Sequence, residues 1–252
     1  MTAYRAIFNF NSMYQREVLK ELKTNGYQLI GYKGATGTNQ ITTGLPTWFS
    51  ESFNRMGDLI EIEHEPTYKV YVYEQSELKQ YKQIEVDFLS EECALGSVIS
   101  LNNDGSFTVL NNLAPKGSIQ VIDNRDKDGK RIIVGLASKI MGKYTPFCAF
   151  YSSAQESINI EPNNKICLFT CQTFIGTGTV IQNLMGMGCS FEFCSTETSY
   201  NLEMTRLPWG IQQSDLKNNV FVKFPNQDLR RILNTKSPEV DSFYKKRYLS
   251  IV

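Results

Sequence analysis

Charge of one sign is not in excess in this chain. Lys plus Arg number 26 and Asp plus Glu number 26, so the formal net charge is zero. That argues against a general nucleic-acid binder, which shows a basic excess, and removes long-range electrostatic steering toward a charged partner. Histidine is nearly missing: His64 is the only one. One imidazole excludes a His-rich zinc site and leaves a single candidate base for a Ser-His-Asp triad, and no G-x-S-x-G elbow accompanies it. Long hydrophobic runs are missing too. The longest, Ile132–Ala137 and Phe147–Tyr151, are strand-sized, whereas a bilayer span needs roughly 18 residues. The N-terminus (MTAYRAIFNFN) lacks the charged-then-apolar layout of a secretory signal. The cytosol is therefore the default expectation, with export by another route left open.

Metal-ligand spacing is also lacking among the six cysteines. There is no C-x-x-C pair. Cys167 and Cys171 fall in a strand-like segment, which puts them roughly 13 Å apart on one face, too far to share a metal. Cys189 and Cys194 would face opposite sides of a strand. Cys93, Cys148 and these four read as reduced core thiols. An inter-strand disulfide stays open only for an exported protein.

What is present is a cadence of short strands. Tyr4–Phe10 alternates as a first strand. Ser12 then reads as a helix N-cap, with Gln15 completing a capping box. Tyr14, Val18, Leu19 and Leu22 fall at helical spacing and Gly26 supplies the stop, so the pattern predicts a helix over Met13–Thr24. Strand candidates follow at Tyr27–Tyr32, Leu59–Glu65, Tyr68–Tyr73, Lys82–Leu89, Ser97–Leu101, Ser106–Leu110, Ser118–Ile122, Arg131–Leu136, Pro146–Tyr151, Ser157–Ile160, Lys165–Phe174, Gly178–Gln182, Gly188–Cys194 and Ser199–Met204. Turn signals separate them, notably Pro66, Asn103-Asp104-Gly105, Asp123–Lys130, Pro162-Asn163-Asn164 and Met185–Gly188. Residues 33–46 read as a long loop. With one helix in the first 200 residues, a parallel βαβ fold is excluded. The expectation is a mainly β chain, an antiparallel β-sandwich or jelly roll, over residues 1–205. Residues 206–252 form a C-terminal extension, with a strand at Val220–Phe224, a helical turn at Gln227–Leu233 and a helix at about 238–249. Its Val240, Phe243, Tyr244 and Tyr248 make an apolar stripe that suits an assembly arm.

The middle of the chain resembles a known family. Residues 45–73 (LPTWFSESFNRMGDLIEIEHEPTYKVYVY), 104–112 (DGSFTVLNN), 131–150 (RIIVGLASKIMGKYTPFCAF), 158–181 (INIEPNNKICLFTCQTFIGTGTVI) and 199–204 (SYNLEM) are similar in order to the rhizosphere-induced RhiA-like proteins. The likeness spans residues 27–205 and rests on Trp48-Phe49 after a loop and on the Val134-Gly135-Leu136 strand. It implies a β-sandwich of bacterial, non-enzymatic character and carries over no site residue. The Met13–Thr24 helix, the Tyr-rich Tyr68–Tyr73 strand and everything after Thr205 depart from it.

Several constellations invite a functional reading, each beside a plainer one. His64 shares a strand face with Ile60 and Ile62, while Glu61, Glu63 and Glu65 share the other. It is a general-base candidate, or a strand histidine with a satisfied ring. The glutamates suit a wet outer sheet face, although a carboxylate pair for glycoside hydrolysis is set by space and stays open. Asn124, Asp126 and Asp128 match the first half of a calcium loop, but its twelfth position is Gly135 instead of a bidentate Glu. The plainer reading is a hairpin turn between Ser118–Ile122 and Arg131–Leu136. Gly34-Ala35-Thr36-Gly37-Thr38 lacks the ending of a phosphate cradle, and Gly176-Thr177-Gly178 reads as a turn or bulge. Trp48, Tyr68, Tyr71 and Tyr73 are candidate ligand or interface aromatics, against the fact that half of such a strand faces inward. No cofactor motif is present. The leading expectation is a non-catalytic protein that associates with itself as a homo-oligomer or larger assembly. A glycan- or membrane-surface-binding module of a toxin-like system comes second, and a hydrolase third.

Overall fold

A computed structural model describes residues 3–110, 113–126, 129–206, 209–215 and 219–234. The elements run β1 (Tyr4–Asn9), α1 (Met13–Thr24), β2 (Gln28–Gly37), β3 (Leu45–Pro46), β4 (Phe49–Ser52), β5 (Leu59–Tyr73), β6 (Phe88–Leu89), β7 (Val98–Leu101), β8 (Phe107–Leu110) and β9 (Ile119–Asp123). They continue with β10 (Ile132–Ile140), β11 (Lys143–Pro146), β12 (Phe150–Ser152), β13 (Ser157–Cys171), β14 (Val180–Ile181), β15 (Gly188–Glu192), β16 (Ser199–Met204), β17 (Ile211–Gln213), β18 (Phe221–Lys223) and α2 (Leu229–Asn234). A single 3₁₀ turn covers Phe53–Arg55. None of these helices is long and apolar enough to cross a membrane.

The chain is mainly β, with two large mixed sheets. One is ordered β11-β10-β5-β1-β16-β17, with β12 on β10 and β6 on β5. The other is ordered β18-β15-β13-β9-β7-β8, with β2 on β13 and β4 on β2. The expected all-antiparallel pairing is corrected at two places: β1 runs parallel to β16, and β7 parallel to β9. The pair β1–β16 joins segments almost 200 residues apart, Arg5 to Ser199, which no local turn signal announces.

Each sheet is organised by one long strand bent at a proline. Pro66 was expected to end a strand, yet β5 continues through it to Tyr73. The register against β10 shifts there, from Glu65↔Lys139 to Tyr68↔Ser138. Pro162 does the same in β13, where the partner β2 passes from Ala35↔Pro162 to Lys33↔Ile166. A proline lacks the ladder N–H and is tolerated inside a sheet only where a bulge removes the need for it. The supposed loop 33–46 is corrected likewise, because β2 extends to Gly37 to follow the bulged β13. Of Lys82–Leu89, Phe88 and Leu89 pair with β5, and Gln83 makes an isolated bridge to Thr179.

Helix α1 forms at its expected bounds. The Ser12 hydroxyl accepts from the Gln15 backbone N–H, as an N-cap should. The other half of the capping box is not made. Gln15 is buried, and its amide instead donates to the Met204 carbonyl at 2.9 Å and accepts from the Met204 N–H at 3.3 Å. That exchange ties the helix to β16.

The main core draws on both large sheets: Phe8, Ile60, Ile62, Val70 and Leu136 from one, with Leu29, Ile99, Val121, Ile160 and Leu168 from the other. Two further clusters cover the outer faces. Leu229 and Leu233 of α2 seal Ile30, Tyr32, Cys167 and Phe169. Leu78, Ile84 and Val180 seal Tyr71, Tyr73, Ile133 and Ala137. The stretch after Thr205 therefore contributes Trp209 and Ile211 to the main core, and α2 to an outer face. Val240, Phe243, Tyr244 and Tyr248 lie outside the described residues.

Candidate functional site

The four aromatics expected at a ligand surface are core residues. Trp48, Tyr68, Tyr71 and Tyr73 are between 0% and 4% exposed. For Tyr68, Tyr71 and Tyr73 the reason is that β5 is covered on both faces beyond Pro66, so alternation no longer sorts inside from outside, while Trp48, between β3 and β4, belongs to the main core. The calcium-loop residues are also corrected in part. The segment 124–131 is not a hairpin, because β9 belongs to one sheet and β10 to the other. Asn124 and Asp126 lie exposed on this inter-sheet connection, and Asp128 lies outside the described residues. The adjacent buried carboxylate, Asp123, is already engaged by Arg125 through Nε at 2.8 Å and Nη2 at 2.7 Å. No cluster of three or more His, Cys, Asp or Glu suited to a metal occurs among the described residues.

His64 sits in a buried polar knot that the sequence reading did not find. It is 1% exposed, and its Nδ1 lies 3.3 Å from the Lys139 carbonyl. A carbonyl only accepts, so Nδ1 carries the proton and Nε2 keeps its lone pair, with no hydrogen-bond partner among the described residues. The Trp48 ring stands edge-on to it at 4.9 Å, and the Trp48 Nε1 is also buried without a partner among the described residues. Lys33 completes the knot. It is fully buried, and its Nζ donates to the Asn163 carbonyl at 2.6 Å, in the bulge beside Pro162. The same nitrogen lies 5.6 Å from the Phe147 ring and 5.9 Å from the Trp48 ring, a cation–π arrangement. Burial lowers the Lys33 ammonium to about 7. Burial and the Lys33 charge together lower the His64 imidazole to about 2. Period two along β2 contains the signal for Lys33: it shares its face with Leu29 and Ala35, both in the main core. Reading the segment as a loop hid it. Since His64 and Lys33 are sealed from solvent, they act on the fold and its pH response before they act on any outside molecule.

A solvent-open cleft of about 590 Å3 lies elsewhere. One wall is β4 and the 3₁₀ turn, carrying Ser50, Glu51, Asn54 and Arg55. The other is the loop that leaves β13, carrying Gln172, Phe174, Gly176 and Thr177. This loop is pinned on both sides. The Ile175 N–H donates to the buried Gln28 Oε1 at 3.1 Å, Gln172 Nε2 donates to the Asn25 carbonyl at 3.1 Å, and Gln83 Nε2 donates to the Thr177 carbonyl at 3.0 Å. Between these ties Phe174 projects into solvent, 81% exposed, the most exposed large apolar side chain described. Glu51 and Arg55 face each other at 3.7 Å, so the wall is charged but balanced.

No protein-family model, curated protein or solved structure matches this chain.

Proposed function

We propose that this chain is a β-sandwich that works by associating with further copies of itself, and that it performs no catalysis. One observation carries the reading. Strand β18 is the last strand on its side of the sheet among the described residues, and Phe221 (60%), Val222 (47%) and Phe224 (55%) are exposed on and beside it. A free edge that displays consecutive apolar residues is a template for pairing with another chain.

The opposite sheet supplies the contrast. Its edge strand β11 carries Lys143 and ends in Pro146, both of which block pairing. Strand β18 has Lys223 but no proline, and its apolar residues outnumber the charge. Zero net charge adds no long-range repulsion between copies. The same edge on two copies pairs isologously, which predicts a twofold dimer as the smallest assembly. The RhiA-like cadence agrees with a non-enzymatic role.

Mass in solution tests this. Light scattering is run on the full chain, on Val222→Lys, and on a chain ending at Asn234. The full chain is expected to be a dimer or larger, and Val222→Lys a folded monomer. A monomeric full chain at high concentration would sink the proposal. If only the shortened chain dissociates, the stretch 235–252 is the contact, and the edge reading fails.

A further inference from the structure

We infer that the cleft between β4 and the loop after β13 is a binding site for a neutral saccharide, with Phe174 as its stacking platform. This does not depend on self-association.

The first ground is Phe174 itself. A Phe side chain gains stability by burial, and this one forgoes it at 81% exposure. Disorder does not explain the exposure, because the neighbouring Ile175 is 2% exposed and hydrogen-bonded to Gln28. A pinned backbone with an unsupported ring between its ties is how a flat apolar ligand face is met. The C–H face of a pyranose ring, with its slight positive charge, fits the negative face of an aromatic ring.

The second ground is the opposite wall. Asn54 offers a planar amide and Glu51 a planar carboxylate. Planar groups with adjacent donors and acceptors engage vicinal hydroxyls two at a time. An aromatic face on one side and paired polar groups on the other match the amphipathic surface of a sugar.

The third ground is charge. One carboxylate and one guanidinium, paired at 3.7 Å, leave the cleft neutral. A phosphate or nucleotide site would concentrate positive charge or present a helix N-terminus. The volume, about 590 Å3, lies within the span of small-molecule clefts and takes more than one sugar ring.

The test is a backbone amide titration by NMR with maltose, cellobiose, lactose and N,N′-diacetylchitobiose, with inorganic phosphate as the charged comparison. At least one sugar is expected to move the amides of Asn54, Arg55, Gly176 and Thr177 at millimolar concentration. Phe174→Ala, at a side chain 81% exposed, is expected to weaken that sugar by about tenfold, and Phe174→Tyr to keep it. The inference is overturned if none of the sugars moves these amides at about 50 mM, a weak-binding limit. It is overturned equally if Phe174→Ala binds as well as the parent, or if phosphate alone binds.

Discussion

Tyr71 lies directly opposite Gly135 in the β5–β10 pair, and its ring occupies the space that a side chain on Gly135 would need. A Cβ built on Gly135 would meet the Tyr71 ring at 2.6 Å and the Cys148 carbonyl oxygen at 2.0 Å. The same carbonyl accepts the Tyr71 hydroxyl at 2.8 Å. The glycine thus admits both a fully buried tyrosine and the hydrogen bond that satisfies it. Gly135→Ala is expected to destabilise the protein by about 3 kcal/mol through overpacking. Tyr71→Phe, which removes only the hydroxyl and leaves the buried carbonyl unpaired, is expected to cost about 1–2 kcal/mol. Urea titrations of the two variants check both the order and the size.

Lys33 makes stability depend on alkaline pH. Its ordinary pKa is 10.5, and burial lowers it to about 7 in the folded state. Between these values the unfolded chain binds more protons than the folded one, so stability rises with pH across that window. Below about 7 the penalty for the buried charge is present in full, and above about 10.5 it is gone. His64, lowered from 6.5 to about 2, extends the same slope into acid: stability falls as pH drops through that range. Trp48, Phe147, Cys148 and the Asn163 carbonyl surround the pair, with no carboxylate hydrogen-bonded to Lys33 among the described residues. Lys33→Met is expected to raise stability at pH 7 and to flatten the slope between pH 7 and 10. Urea unfolding at a series of pH values reads both, and an unchanged alkaline slope would show that another group sets it.

Asp123 and Arg125 close the passage from one sheet to the other. The carboxylate is fully buried, and it also accepts the Ser152 hydroxyl at 3.0 Å and the Arg125 backbone N–H at 3.2 Å. Arg125→Met strips the guanidinium away and leaves that charge inside. The expected cost is about 3 kcal/mol, as for other broken buried pairs. The double variant Asp123→Asn, Arg125→Met is expected to recover part of the loss, because the uncompensated charge goes with it. Denaturation of the single and double variants gives the coupling directly.

Local signals in the sequence located what is local. Ser12, the Val18–Leu22 stripe and Gly26 define α1 to the residue, because a helix closes its hydrogen bonds within itself. Strand positions were legible in part: Ser199–Met204 falls at its expected bounds, whereas Pro146–Tyr151 becomes Phe150–Ser152 and the strand Lys143–Pro146 was not expected. Pairing was not. The parallel contact of Arg5 with Ser199 joins chain segments with no common local pattern. Proline misled in one direction: Pro66 and Pro162 looked like strand ends and are bulges inside the two longest strands. The site suffered from a related assumption, that aromatics in a strand divide between core and surface. Tyr68 faces the main core and Tyr71 an outer cluster, so both are buried, whereas Phe174 in a loop is the exposed ring. Nothing in period two distinguishes a sheet face covered by loop 78–84 from one open to water.

Cysteine reactivity divides the six thiols sharply. Cys93, Cys148, Cys167, Cys171 and Cys189 are buried, and Cys194 is exposed, with no disulfide among them. Burial raises the Cys93, Cys148 and Cys167 thiols to about 12 and Cys171 to about 11, with Cys189 pushed well up by the same cause. Cys194 shifts the other way, because the Thr196 hydroxyl and backbone N–H stabilise its thiolate. The thiolate is the reactive form, so both exposure and ionisation favour Cys194 alone. A native-state titration with a disulfide reagent at pH 8 is expected to modify one thiol quickly, with the remaining five reacting only in denaturant. Cys194→Ser is expected to abolish the fast phase without altering the unfolding curve, since this residue contributes nothing to the core clusters. A fast phase of two or more thiols would mean that one of the outer covers, α2 over Cys167 and Cys171 in particular, opens in the folded protein.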